Sequence, residues 1–325
     1  MQTKEVAAGI DIGGTNTTIG AVTRSGTIIW RSTFPTKAAP DFPSYLEELN
    51  HHLDELRQQS GVQLVGIGIG APAGNHLNGT MQASNVSWGR HVPLVEALLP
   101  YYDMPVALDN DANVTAVGEM HFGAAQLFRN FIMITLGTGL GSGIVANGEV
   151  MYGHDGLAGE LGHIVVDLNG RECLCGRKGC LETYVSATGL KRTVFELLAN
   201  RTDASPLRNY SFHSLNARQI SEAAGAGDSI ALEAFELAGK LLGWKLADAI
   251  AHTSPEAIIL FGGLANAGPL LLEPTSRSLK KQLLFLYDPD IPLLLSALPE
   301  SDAALLGAAA LVWQKIEKTS KRLIY

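Results

Sequence analysis

Two related α/β halves are expected from three features of the chain. Its 325 residues exceed what one compact domain usually needs. Short apolar runs of strand character alternate with helical runs, as in α/β proteins. The order strand, glycine turn, strand occurs twice, once around Gly13-Gly14 and once around GTGLGSG at Gly137 to Gly143. A weak internal repeat of this kind suggests two α/β halves with a cleft between them.

Along the chain, Val6 to Ile12, Thr17 to Val22 and Ile28 to Thr33 read as short strands, with a hairpin at Gly13-Gly14. Pro43 to Ser60 reads as a helix, because Leu46, Leu49, Leu53 and Leu56 recur at spacings of three and four. LVGIGIGA (Leu64 to Ala71) and MPVALDN (Met104 to Asn110) are strands. A second cycle opens at NFIMITL (Asn130 to Leu136). Ile230 to Thr253 is the clearest long helix. PEAIILFGGLANAG (Pro255 to Gly268) is a strand whose glycine loop opens a helix, and SDAALLGAAALVWQKIEK begins with a capping signal before a terminal helix.

Composition removes several function classes. A formal charge of −8 argues against a surface built to neutralise nucleic-acid phosphates. No stretch reaches the roughly 18 uninterrupted apolar residues of a membrane span, and no export signal core precedes the first strand. Three cysteines make an odd number, so a disulfide framework is not expected and the cytoplasm is the default location.

Three glycine-rich segments are candidates for holding phosphate: DIGGTN (Asp11 to Asn16), GTGLGSG and FGGLANAG (Phe261 to Gly268). Glycine lets backbone N–H groups approach a phosphate with no Cβ in the way, and the hydroxyls of Thr15 and Thr138 add donors. Each alone could be a plain turn. Together, at corresponding places in two halves, they fit a clamped nucleotide better than three coincidences.

Asp11-Ile-Gly-Gly-Thr-Asn16, Gly137-Thr-Gly-Leu-Gly141 and Phe261-Gly-Gly-Leu264 resemble the two phosphate segments and the adenosine segment of the actin-like ATPase superfamily of sugar kinases. G-E-L-G-H followed by C-x-C-G-x-x-G-C-x-E, within Gly159 to Glu182, resembles the signature of the ROK family of bacterial sugar kinases and sugar-responsive repressors. The resemblance implies two actin-like (ribonuclease H-like) domains with a central cleft. Residues 1–115 would form a small N-terminal domain, with helix 301–325 packing back on it, and residues 116–300 a larger domain with a zinc loop. ATP and Mg2+ would be held by Asp11, Gly13, Gly14, Thr15, Asn16, Gly137, Thr138, Gly139, Gly262 and Gly263. A homodimer is expected by family analogy alone.

Cys173, Cys175 and Cys180 lie just beyond His163, and a Cys3His set is a known tetrahedral zinc arrangement. The alternative is three reduced core cysteines and a satisfied histidine. Buried cysteines rarely cluster among Gly, Arg and Lys as in CLCGRKGC, which favours a structural metal with no open coordination site. Glu160 and His163 are three apart and would share a face if LAGELGH were helical. The resemblance gives Glu160, His163 and Glu182 to sugar hydroxyls, with the nucleotide loops distant from this staple.

For the reacting end, strand Val106 to Asn110 runs into Asn110-Asp111-Ala112-Asn113. Asn and Asp are ordinary helix caps, and the local pattern does not choose between cap and catalyst. In ROK kinases the Asp of N-D-A-N is the general base and the preceding Asn positions the sugar, which implies Asp111 and Asn110 here. Asp109 should point the other way, and His76, His91, His121 and His154 read as structural or surface residues. Asn85 matches a sugar-contact asparagine. Ala73 departs from the family, where P-G is frequent. The expected activity is ATP-dependent phosphorylation of a hexose at its 6-hydroxyl, with glucose preferred. N-acetylmannosamine, N-acetylglucosamine, allose or fructose are alternative acceptors. A repressor is disfavoured because the first phosphate motif begins at Asp11, leaving no room for a DNA-binding domain, and an inactive scaffold because Asp11, Asp111, Glu160 and Glu182 are all present.

Overall fold

The computed structural model describes residues 3–82, 88, 89 and 91–322. The chain divides into two compact units, Met1–Leu127 with Val150–Ala158 and Ala297–Tyr325, and Phe128–Glu149 with Gly159–Ser296. No helix among the described residues is long and apolar enough to cross a membrane.

The first unit is built on β1 (Lys4–Ile12), β2 (Asn16–Thr23), β3 (Ile28–Pro35), α1 (Phe42–Arg57), β4 (Val62–Ala71), α2 (Leu94–Leu98), β5 (Val106–Asn110) and α3 (Asp111–Phe122). Its sheet has the order β3-β2-β1-β4-β5, with β1, β2 and β3 antiparallel and β1, β4 and β5 parallel. Helix α1 starts at Asp41, whose carboxylate accepts from Ser44 N at 2.9 Å. Tyr45, Leu49, Leu53 and Leu56 form its buried stripe, so Tyr45 takes the first place expected for Leu46.

The second unit contains β6 (Phe131–Leu136), β7 (Leu140–Ala146), β8 (Glu149–Val150), α4 (Ala187–Asn200), α5 (Ala217–Gly225), α6 (Ser229–Thr253), β9 (Ala257–Phe261), α7 (Pro269–Gln282) and β10 (Leu293–Leu295). Its sheet order is β10-β9-β6-β7-β8, the first sheet's order with each strand replaced by its counterpart. The repeat read from the glycine turns is therefore a repeat of topology. Its core gathers Ile132, Ile134, Leu242, Leu246, Ile258 and Leu260.

The last helix, α8 (Ala303–Arg322), lies on the first unit's sheet, and β4 explains how. In LVGIGIGA the period of two sends Ile67 and Ile69 into the core shared with α1, and Gly66, Gly68 and Gly70 to the opposite face. A Cβ on Gly68 would overlap the Ala308 carbonyl of α8, and one on Gly66 would meet Val312 at 2.6 Å. The glycine face lets α8 lie flush on the strands, and Gly118 of α3 meets Gly307 of α8 in the same manner. The limit expected at 115/116 falls inside α3, which lies whole in the first unit.

Candidate active site

In the first unit, parallel pairing places Asp11 beside Gly70 and Gly70 beside Asp109, so β1, β4 and β5 end along one edge of the sheet. Asp11 and Asp111, a hundred residues apart in sequence, come near enough at that edge for the charge of one to act on the other. Burial, and then the charge of Asp111, raise the Asp11 carboxyl from 3.8 to about 6. Asp111 is open to solvent at its own surface, yet the protein around it desolvates the carboxyl and raises it too. Two acids held this way are destabilised as a pair of anions, which suits a site that receives a cation or a proton.

The capping question raised by N-D-A-N is answered by geometry. Asn110 is the N-cap of α3, its Oδ1 accepting from Asn113 N at 2.7 Å. Asp111 is the first helical residue, with Oδ1 accepting from the adjacent Ala112 N at 2.9 Å. Asp109 points the other way and is 1% exposed. The Gly13 to Thr15 turn is closed by Gly13 N donating to Asn16 O at 2.9 Å, and Thr15 and Asn16 are exposed. Asn85 lies outside the described residues. Ala73, at the place where glycine is frequent, has φ +49°, a left-handed conformation that glycine favours.

In the second unit the ligand atoms of His163, Cys173, Cys175 and Cys180 all lie within 4.8 Å of one another. His163 Nδ1 is 3.6 Å from Cys173 Sγ, and Cys175 Sγ is 3.6 Å from Cys180 Sγ. Zinc bonds of usual length at tetrahedral angles set such edges at about 3.6–3.8 Å. Burial pushes the Cys180 thiol up to about 12 and raises Cys173, whereas the backbone N–H and then the side chain of Arg177 lower Cys175 to about 6. Three thiols this close would give up their protons together only to a cation, so the residues fit zinc, with Nδ1 of His163 turned to the sulfurs.

Glu160 and His163 do not share an α-helix. Gly159 has φ +96° and Glu160 is non-helical, so the segment forms only one 3-10 turn, Leu161–His163. A residue that the sequence pattern does not single out holds this turn. Ser142 of β7, 6% exposed, donates from Oγ to Gly159 O and accepts from Leu161 N at 3.0 Å, bracketing Glu160 on both sides. Its place inside a glycine run conceals it, since GTGLGSG reads as turn, whereas β7 already begins at Leu140.

The glycine turn is also not distant from the staple. Glu182 Oε2 accepts from Leu140 N at 2.9 Å, and a Cβ on Gly139 would come within 2.5 Å of that oxygen. Gly262, at φ +99°, abuts Leu136 at the end of β6, so Gly137 to Gly139, Gly262 and Gly263 lie at one end of the second sheet. Arg171 ties the cysteine loop to α4, donating to Thr183 O at 2.6 Å, Gly189 O at 3.0 Å, Thr193 Oγ1 at 2.9 Å and both oxygens of Glu196, while stacked on Tyr184.

The sequence pattern of the ROK family matches residues 7–315. The chain belongs to the ROK family. A glucokinase of Halalkalibacterium halodurans is 34% identical to this ROK protein over 320 residues, 96% of each chain. The crystal structure of a ROK family glucokinase from Streptomyces griseus, in complex with glucose and AMPPNP, gives a TM-score of 0.77 at 32% identity, covering 95% of this chain and 99% of that one. A ROK family transcriptional regulator, a homologue of the E. coli MLC protein, gives 0.86 at 27% identity, covering 96% of this chain and 78% of its own. The repeated topology of the two sheets spans the matched residues.

Proposed function

We propose that this ROK protein is an ATP-dependent hexose kinase that transfers the γ-phosphoryl group to the 6-hydroxyl of a hexose, with glucose preferred. The observation that carries the reading is the Asp11–Asp111 pair, one acid half-buried at a glycine hairpin and the other open at a helix start. Phosphoryl transfer needs alignment and charge neutralisation more than covalent chemistry from the protein. Mg2+ held at Asp11 through water would supply that neutralisation. The backbones of Gly13, Gly14, Thr15 and Asn16 and of Gly137, Thr138 and Gly139 receive phosphate oxygens, and Gly262 and Gly263 the adenosine. Asp111 takes the proton of the attacking hydroxyl, its raised pKa bringing it nearer to neutral operating conditions. Asn110, Asn85, Glu160, His163 and Glu182 hold the other hydroxyls, and zinc stays structural.

A coupled ATP assay against a panel of hexoses and N-acetylhexosamines, with Asp111→Asn alongside, tests the reading. We expect glucose to give the largest kcat/KM and Asp111→Asn to lower kcat by about 10²–10⁴-fold with sugar and nucleotide affinity near native. A much larger kcat/KM for N-acetylmannosamine or N-acetylglucosamine would overturn the acceptor and leave the kinase reading standing. Likeness to the regulator favours a second reading, a non-catalytic sugar-binding regulator. Sugar binding with no turnover on any member of the panel would select it.

A further inference from the structure

Asp109 is a buried carboxylate two residues before the proposed base, and its surroundings are built from three separate stretches of the first unit. Oδ1 accepts from Asn110 N at 2.8 Å and from Asn113 Nδ2 at 2.9 Å, which fixes the junction of β5 and α3 from within. Oδ2 accepts from the Tyr152 hydroxyl at 2.7 Å. The ring of His76 stacks on Tyr152 with centroids 4.4 Å apart and planes 3° from parallel. His76 Nδ1 lies 3.2 Å from Leu108 O and 3.8 Å from Asp109 Oδ2. Gly74 completes the enclosure, since a Cβ there would come within 2.5 Å of Asp109 O. The stretch carrying Tyr152 is pinned in turn by Asn75, whose Nδ2 donates to Asp155 O at 2.7 Å.

A buried carboxylate is costly unless its acceptors are used, so each of these bonds is strongly held. The polypeptide leaving Asp109 is consequently fixed at both oxygens, and Asp111 follows it by two residues at the first turn of α3. From this arrangement we infer that Tyr152 and His76 are positioning residues for the phosphoryl transfer, acting through Asp109 to aim the Asp111 carboxylate. The inference rests on the reading of Asp111 as the base. Neither Tyr152 nor His76 touches the reacting atoms on this account. Their effect is on the placement of the base, where an error of the order of 1 Å can cost about a hundredfold in rate.

Tyr152→Phe removes one hydroxyl and keeps the ring stack, so the variant folds. Steady-state kinetics with glucose and ATP should show kcat lowered about tenfold, with both KM values within about twofold of wild type and Tm within a few degrees. In the Asp111→Asn background the same substitution should cost nothing further, because the group it aims is gone. A loss that multiplies equally in both backgrounds, or no loss in the wild-type background, overturns the inference while leaving Asp111 as the base. Retention of more than about a tenth of wild-type kcat by Asp111→Asn alone overturns instead the base assignment and the inference with it.

Discussion

Asp11→Asn removes one of two acids whose charges the fold disfavours, so it should stabilise the protein while destroying its activity. The folded protein raises this carboxyl from 3.8 to about 6 by burial and by the charge of Asp111. At about 1.36 kcal/mol per pH unit, ionised Asp11 costs the metal-free fold up to about 3 kcal/mol at pH 8, and roughly 1–3 kcal/mol once solvent screening of a half-buried group is allowed for. The sign follows from linkage. A raised folded-state pKa means the native state binds the extra proton between about pH 4 and 6. This group's contribution is therefore fully present below pH 3.8 and lost as pH rises through about 6. Asparagine keeps the shape without the charge, so metal-free Asp11→Asn should melt above wild type at pH 8, by about 2–4 °C per kcal/mol for a unit of this size. The gap should close toward pH 4. Thermal melts in chelator at both pH values measure it, and the coupled assay should find turnover lost. Equal melting temperatures at pH 8, or a gap that widens toward acid pH, would refute the reasoning.

Cys175→Ala should drop zinc from about one per chain to well below that, raise the sugar KM and, because Glu182 also holds Leu140 N, raise the ATP KM as well; metal analysis and kinetics read all three, and an unchanged zinc content would sink the ligand set. Arg171→Lys gives up most of the fork that satisfies Thr183 O, Gly189 O and Thr193 Oγ1, so we expect a loss of about 2–4 kcal/mol in denaturant melts, with the exposed Glu196 pair contributing little of it. Ala73→Gly should stabilise by about 0.5–1 kcal/mol, since φ is +49° there; a decrease in stability in the same melts would show the backbone conformation to be unstrained.

Much of the local chemistry is legible in the amino-acid sequence. The four candidate zinc ligands sit within one loop of Gly159 to Glu182, and their spacing lets that loop gather them within reach of a single ion. The strands β1, β4, β5, β6 and β9 are marked by apolar runs and closed by glycine or Asn-Asp signals, and the repeated order of strand and turn corresponds to two sheets of one topology. Family resemblance supplies the role proposed for Asp111, which local pattern does not separate from a helix cap. The fold gives the side-chain cap to Asn110 and leaves Asp111 as the first helical residue.

Other features depend on contacts between residues far apart in sequence, which neither hydrophobic period nor motif spacing encodes. Asp11 feels the charge of Asp111 because three parallel strands end in register, a consequence of sheet pairing over about a hundred residues. Tyr152 reaches Asp109 across 43 positions, and Leu140 reaches Glu182 across 42. His76 reads as a structural or surface histidine because nothing beside it in sequence pairs with an imidazole, yet its partners come from β5 and from the stretch holding Tyr152. Ser142 is hidden among glycines whose strand character follows only from pairing with β6. Sequence determined which side chains could do this protein's chemistry, through local geometry that a few adjacent residues fix. Tertiary structure decided which of them are charged at a cost, which are aimed, and which hold the others, because desolvation and hydrogen-bond partnership arise only when distant strands pack.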